Sequence, residues 1–296
     1  GLSFNLEPLL GEFSQGRDVV AHGDRVCTWM RRSGGAESAV HSFMAVPLKV
    51  RGFPLGVLSA VSFSPRVRFS EGQRKGLSIF GSRAASAVEN ARMFDNLQDT
   101  FTQTMEAFQR ALEAKDAYTQ GHSDRVAMYS RLVAEAMGLP TLEVDRIDHG
   151  GLMHDIGKIG IRTDQLNKPQ RLTPEEYETI KTHPVHGKRI LEPIGFLKHL
   201  VPCVYHHHEA WDGTGYPAGL EAEEIPLEAR ILAVADTYDA MTTDRPYRKA
   251  LPHMVAIAEL RRFSGRQFDP AVVTVFCDVI EVYRDEQRSS GQVIPD

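Results

Sequence analysis

The chain has little cysteine. Cys27, Cys203 and Cys277 are far apart and odd in number, which points away from a disulfide framework and from a thiolate zinc motif. It also lacks an apolar run long enough to span a bilayer, and no charged start leads into an apolar core. Neither a membrane segment nor a signal peptide is therefore read from it, and a cytoplasmic location is expected. A large excess of either charge is lacking too, with 34 lysines and arginines against 39 aspartates and glutamates. A net charge of -5 argues against DNA or RNA polymers as partners, although Lys181, Lys188 and Arg189 form a local cluster able to meet a single phosphate. What remains is a chain of 296 residues, long enough for more than one domain and a sizeable core. Its start at Gly1 suggests a piece of something longer.

The pattern changes along the chain. Residues 42–50 and 55–61 are strand-like on either side of Gly52, and a short hairpin is the economical reading. From Glu71 to about Lys115 turn residues thin out and a long helix is expected. Within it Phe94, Leu97, Phe101, Met105, Phe108 and Leu112 recur at steps of three and four. That stripe fits a parallel dimer seam, or equally a helix packed on its own domain. Beyond Asp116 the chain reads as nearly all α. A helix through Val126 and Val133 stops at Gly138, Thr141 is expected to cap the next, and Thr173-Pro174-Glu175-Glu176 is a capping box that starts another. Pro184 opens a further helix, and 226–236 reads as a buried one.

The chemistry concentrates at His154-Asp155-Ile156-Gly157-Lys158, which sets an imidazole, a carboxylate and an ammonium within five residues. Adjacent His and Asp can ligate metal together, with the Asp bridging two ions through its two oxygens. Nine of the twelve histidines fall between His122 and His208, a density that packing alone does not require. Each single histidine is more often a hydrogen-bonded structural group. That reading is kept for His149, His186, His199 and His253, and His206 stays ambiguous.

The order of these motifs carries a resemblance. From about Leu112 to Pro270 the chain resembles HD-GYP domains, a branch of the HD phosphohydrolase superfamily. The matching stretches are Ala114-Lys115-Asp116, Gly121-His122-Ser123, His154-Asp155-Ile156-Gly157-Lys158, His183-Pro184, His207-His208-Glu209, Asp212-Gly213-Thr214-Gly215-Tyr216-Pro217, Ala233-Val234-Ala235-Asp236 and Asp239-Ala240-Met241-Thr242. The resemblance implies that His122, His154, Asp155, His183, His207, His208 and Asp236 hold metal, with Asp155 bridging. Some members carry a glutamate four residues before the first histidine and assemble three ions. Tyr118 stands there in this chain, so two divalent ions are expected, iron or manganese first, with nickel and zinc as alternatives.

By the same resemblance the substrate is cyclic di-GMP, opened by a metal-bridging hydroxide mainly to the linear dinucleotide pGpG, with onward hydrolysis to GMP as the lesser product. Asp155, Lys158 and Asp116 are the expected catalytic residues, Lys158 facing the phosphate and Asp116 orienting its ammonium. Tyr216, Asp239, Arg245, Arg248 and Lys158 are expected at the substrate. Two rivals stay open: a module that binds cyclic dinucleotide or a signalling partner without turnover, and an HD hydrolase of another cyclic dinucleotide. Residues 1–94 resemble part of a GAF domain through Val46-Pro47-Leu48, Leu55-Gly56-Val57-Leu58 and Ala87-Val88-Glu89-Asn90-Ala91-Arg92. The expected layout is a multidomain chain: a partial α/β GAF-like sensory domain (1–94), a linker helix (95–115) offering a homodimer seam, and an all-α HD-GYP domain (116–296). The glycine-tyrosine-proline loop is a candidate contact for partner proteins.

Overall fold

The structure is a computed structural model that describes residues 2–4, 11–13, 15, 17–22, 30–32, 40–115, 121–168, 170, 173–244 and 248–289. Two compact units divide the chain, Gly1–Thr100 and Phe101–Asp296, so the division falls inside the long helix.

The first unit has five strands among the described residues. β1 (Leu2–Phe4) pairs antiparallel with β3 (Met30–Arg32), while β2 (Val19–His22), β4 (Ser42–Val50) and β5 (Phe53–Ser62) form a sheet in the order β2-β4-β5. The hairpin expected from the sequence is β4–β5. Its two loop residues, Arg51 and Gly52, both take positive φ (49° and 88°), the pairing that matches strand twist in a two-residue turn. Phe13, Ala21, Val40, Phe43 and Ala45 form the small core of this unit.

Helix α1 runs from Glu71 to Lys115, the bounds expected from the sequence. It starts in a reciprocal cap: Ser70 N donates to Gln73 Oε1 and Gln73 N donates to Ser70 Oγ. The apolar stripe along it splits. Phe94 and Leu97 are 67% and 68% exposed, whereas Met105 and Leu112 are 1% and 2% exposed. Met105 belongs to a core cluster with Met153, Ile156, Leu191, Leu197, Leu200 and Val204, and Phe101 and Phe108 pack on it. The C-terminal part of the stripe therefore packs within the second unit, while Phe94 and Leu97 stay exposed.

The second unit is helical: α2 (His122–Ala136), α3 (Thr141–Met153), α4 (Thr163–Leu166), α5 (Pro174–Ile180), α6 (His183–Leu191), α7 (Val201–His206), α8 (Leu227–Thr242), α9 (His253–Arg262) and α10 (Pro270–Ser289), with a 3-10 turn at Ile156–Gly160 after α3. Gly138 has φ 72° just past α2, as its left-handed role requires. The Thr173 capping box closes in both directions. Thr141 does not cap. It is the first helical residue, and Pro140 sits at the cap position without a side-chain bond, because proline already fixes the entry angle.

The main core joins α2, α3, α8, α9 and α10 through Val126, Val133, Ile147, Leu232, Val234, Tyr238, Ile257 and Phe276. Close helix approach depends on glycine here. A Cβ on Gly151 would lie 2.6 Å from the Ala127 backbone of α2, and one on Gly157 would lie 1.8 Å from His183 O and 2.5 Å from Gly187 N. The second contact seats the start of α6 directly on the turn that follows His154-Asp155.

Candidate metal centre

The histidines meet because helix ends meet. His154 closes α3, His183 follows the end of α5, and His207 closes α7. The last carbonyls of a helix have no intrahelical partner, so a ring just beyond them can donate back three residues. His154 Nδ1 donates to Gly151 O (2.6 Å), His183 Nδ1 to Ile180 O (2.8 Å) and His207 Nδ1 to Val204 O (2.9 Å). A neutral imidazole has one N–H, and it is spent there. Each Nε2 therefore presents a lone pair to the centre.

Those lone pairs face one another. His183 Nε2 and His207 Nε2 are 3.2 Å apart, and with both N–H groups committed elsewhere this is a meeting of two acceptors. His154 Nε2 is buried without a hydrogen-bond partner among the described residues. Ligands about 2.0–2.2 Å from one ion sit roughly 3.0–3.5 Å from each other, so the spacing fits a shared cation. Buried acceptors in this arrangement are costly by themselves and are satisfied by positive charge. Two groups of donors result: His183, His207 and His208, and His122, His154 and Asp155, each with its atoms within 4.8 Å of one another.

Asp155 lies between the groups. Its Oδ1 is 3.3 Å from His183 Nε2, while Oδ2 is 3.3 Å from His154 Nε2, 4.0 Å from His122 Nε2 and 2.7 Å from Lys158 Nζ. Asp236, on α8, places Oδ1 3.3 Å from His122 Nε2. Nitrogen and carboxylate donors without thiolate form a divalent-metal set.

Electrostatics agree with that set. Burial pushes His183 down to about 3 and lowers His207 and His208 from the ordinary imidazole value, so all three are neutral at pH 7. Burial alone would raise Asp155 and Asp236, yet Lys158 and the histidines hold Asp155 well below the carboxylate range, and His122 does the same for Asp236. His122 moves the other way. Burial opposes its proton, but hydrogen bonds with Asp236 and Asp239 raise it to about 9. Positive charge is thus stabilised at the His122–Asp236 junction.

The loop 212–221 closes on one side of this centre. Glu209 is buried and its carboxylate accepts from Ala218 N (2.8 Å), Gly219 N (3.0 Å) and Leu220 N (3.2 Å). Gly215 packs so closely that a Cβ would lie 2.1 Å from Ala210 N. The loop is thereby fixed with Tyr216 stacked on His208, ring centroids 4.9 Å apart, and Lys181 Nζ 5.2 Å from the Tyr216 ring.

Several expected residues lie elsewhere. Asp239 was expected at the substrate, and the structure corrects this: it is 1% exposed, and its two oxygens are taken by His122 Nδ1 (2.7 Å) and by the Arg125 fork. Arg248 donates to Ala240 O on α8. Asp116, Tyr118 and Arg245 fall outside the described residues. His253 bonds Tyr238 and Glu281, and His149 and His199 lie against Phe101, away from the two donor groups.

Sequence reading missed Arg125 and the anchoring role of Glu209. The signal for Arg125 was its place three residues after His122, on the same helix face.

The HD domain family profile matches residues 106–272, more than half of the chain, and that of the GAF domain matches residues 7–88. The chain is 40% identical over 202 residues to a cyclic di-GMP phosphodiesterase of Thermotoga maritima, covering 66% of this chain and 54% of that protein. It is 35% identical over 180 residues to 3'3'-cGAMP-specific phosphodiesterase 3 of Vibrio cholerae (61% and 39%). To a cyclic di-GMP phosphodiesterase response regulator of Xanthomonas campestris pv. campestris it is 34% identical over 244 residues (82% and 62%). The chain spans about half the length of the curated relatives it matches. With that profile laid over the histidine and aspartate cluster just described, the chain belongs to the HD domain family and carries a GAF domain ahead of it.

Proposed function

We propose that the protein is a metal-dependent phosphodiesterase that opens cyclic di-GMP to the linear dinucleotide pGpG, with GMP as a lesser, later product, in second-messenger signalling. The observation that carries this reading is Asp155, whose two oxygens are divided between the two donor groups. That division favours two ions, and donors without sulfur favour iron or manganese over a structural zinc. His122, His154 and Asp236 would hold one ion, His183, His207 and His208 the other, with Asp155 shared.

When bound, such ions supply a water of lowered pKa and neutralise charge building on a phosphodiester. The residues of the chain contribute position and protons. Lys158 sets its Nζ 2.7 Å from Asp155, where it would stabilise the phosphate oxygens and deliver a proton to the departing ribose oxygen. The oxygen of water bonds to phosphorus as the phosphorus–ribose oxygen bond breaks, so no side-chain nucleophile is needed. Tyr216 walls the centre beside His208 and offers a face on which a base can stack. Asp116 is proposed to orient Lys158, and Arg245 to meet the second phosphate. Arg248 steadies that loop on α8.

No described helix is long and apolar enough to cross a membrane. A cytoplasmic protein fits the substrate, and a homodimer would use the exposed Phe94 and Leu97 rather than the whole stripe. The GAF region would then sense or dimerise, and the loop around Tyr216 would be the face open to signalling partners.

A second reading, 3'3'-cGAMP as substrate, is favoured by the Vibrio cholerae relative of that name. Stacking on Tyr216 does not by itself select guanine over adenine. Purified protein supplied with manganese or iron, then incubated in parallel with cyclic di-GMP and 3'3'-cGAMP, tests both by chromatography. Faster consumption of cyclic di-GMP to pGpG is the expected result. Faster consumption of 3'3'-cGAMP would replace the substrate, and binding without product from either would replace the enzyme by a binding module.

A further inference from the structure

His154, His183 and His207 are oriented by backbone carbonyls at helix C-termini. His122, the first residue of α2, is aimed differently. Its Nδ1 donates to a side chain of another element, Asp239 on α8, at 2.7 Å.

A carboxylate alone can swing. Asp239 is held by the Arg125 fork, with Nε to Oδ1 at 2.5 Å and Nη2 to Oδ2 at 3.0 Å, and the same Nη2 reaches Thr243 Oγ1 at 3.3 Å. Gly121 leaves room for the guanidinium, since a Cβ there would lie 3.1 Å from Arg125 Nη1. The planar fork fixes the carboxylate plane, the carboxylate fixes the imidazole ring, and Nε2 is thereby aimed at Asp236 and Asp155.

We propose that Arg125, acting through Asp239, is the positioning residue that aims His122 and so sets the affinity of the His122–Asp236 side of the centre for its divalent ion, leaving the three-histidine side unaffected. This rests on the two-ion reading above. Arg125 is a positioning residue here, since it is argued to act on the centre through the Asp239 carboxylate. Partners that orient a ligating histidine are worth about 10–100-fold in metal affinity when removed.

The test is titration of the metal-free full chain with manganese, followed by calorimetry and by the electron paramagnetic resonance signal of a coupled manganese pair, in wild type, Arg125→Met and Arg125→Lys. Wild type should bind two ions and show the coupled signal. Arg125→Met should bind one ion with wild-type affinity and the second about 10–100-fold more weakly, with the coupled signal appearing only at high manganese. Arg125→Lys should recover part of the loss, because it restores charge without the two-point fork. Two ions of unchanged affinity in Arg125→Met would overturn the inference alone. Equal weakening of both ions with a lowered melting temperature would overturn it in favour of a staple between α2 and α8. Fewer than two ions in wild type would overturn the two-ion reading and this inference with it.

Discussion

The two flanks of Asp155 are built from different materials. On one, His183 and His207 take their orientation from main-chain carbonyls, so no side chain needs to be added to aim them. On the other, His122 depends on a relay of side chains, Asp239 and Arg125. The difference lies in what each ring meets: His183 and His207 each reach the carbonyl three residues back at the end of a helix, whereas the Nδ1 of His122 meets a carboxylate from α8. The carbonyl-aimed flank should therefore be robust to every substitution except that of a ligand or of the backbone beneath it, and the other should be tunable.

Three substitutions break or sharpen that contrast. The largest effect is expected from His207→Ala, which removes a proposed ligand of the robust flank: phosphodiesterase activity should fall to background and bound metal should drop, with circular dichroism of the helices little changed. Next is Gly157→Ala, which disturbs the backbone under His183. A Cβ 1.8 Å from His183 O forces the turn and α6 apart. Overpacking of this kind costs about 1–3 kcal/mol, so thermal unfolding should fall by several degrees and the three-histidine side should lose affinity for its ion. The smallest effect is expected from Glu209→Gln, which leaves both flanks intact and loosens the loop. Replacing one carboxylate oxygen by an amide donor sets it against one or two of the three backbone N–H groups, since Oε1 accepts from Ala218 and Oε2 from Gly219 and Leu220. A loss of about 1–2 kcal/mol in loop order should appear as roughly a tenfold rise in KM with metal content unchanged.

How much of this was legible in the sequence depended on range. Features decided within a few residues were readable: the Thr173 capping box, the stop at Gly138, the tight hairpin at Gly52 and the full span of α1 all follow from local chemistry. The donor set was also legible, since His154, Asp155, His183, His207, His208 and Asp236 stand at helix ends or within motifs, and the family resemblance ordered them. What escaped was decided by long-range packing. The spacing of the α1 stripe is the same whether it faces a second copy or its own unit, and only the core around Met153 and Leu197 separates Met105 from Phe94. Asp239 sits one helical turn from Asp236, so the sequence offered it to the substrate, while the fold turned it inward to meet Arg125 from a helix more than a hundred residues earlier. Thr141 gave way to Pro140 because a proline with fixed φ had already set the helix entry.

Counting metal per chain in anaerobically purified protein, wild type against Asp155→Ala, tests the central claim most directly. A carboxylate shared between two ions predicts two ions per wild-type chain and at most one in Asp155→Ala, with helical content retained. One ion in the wild type, or two retained after Asp155 is removed, would contradict the account.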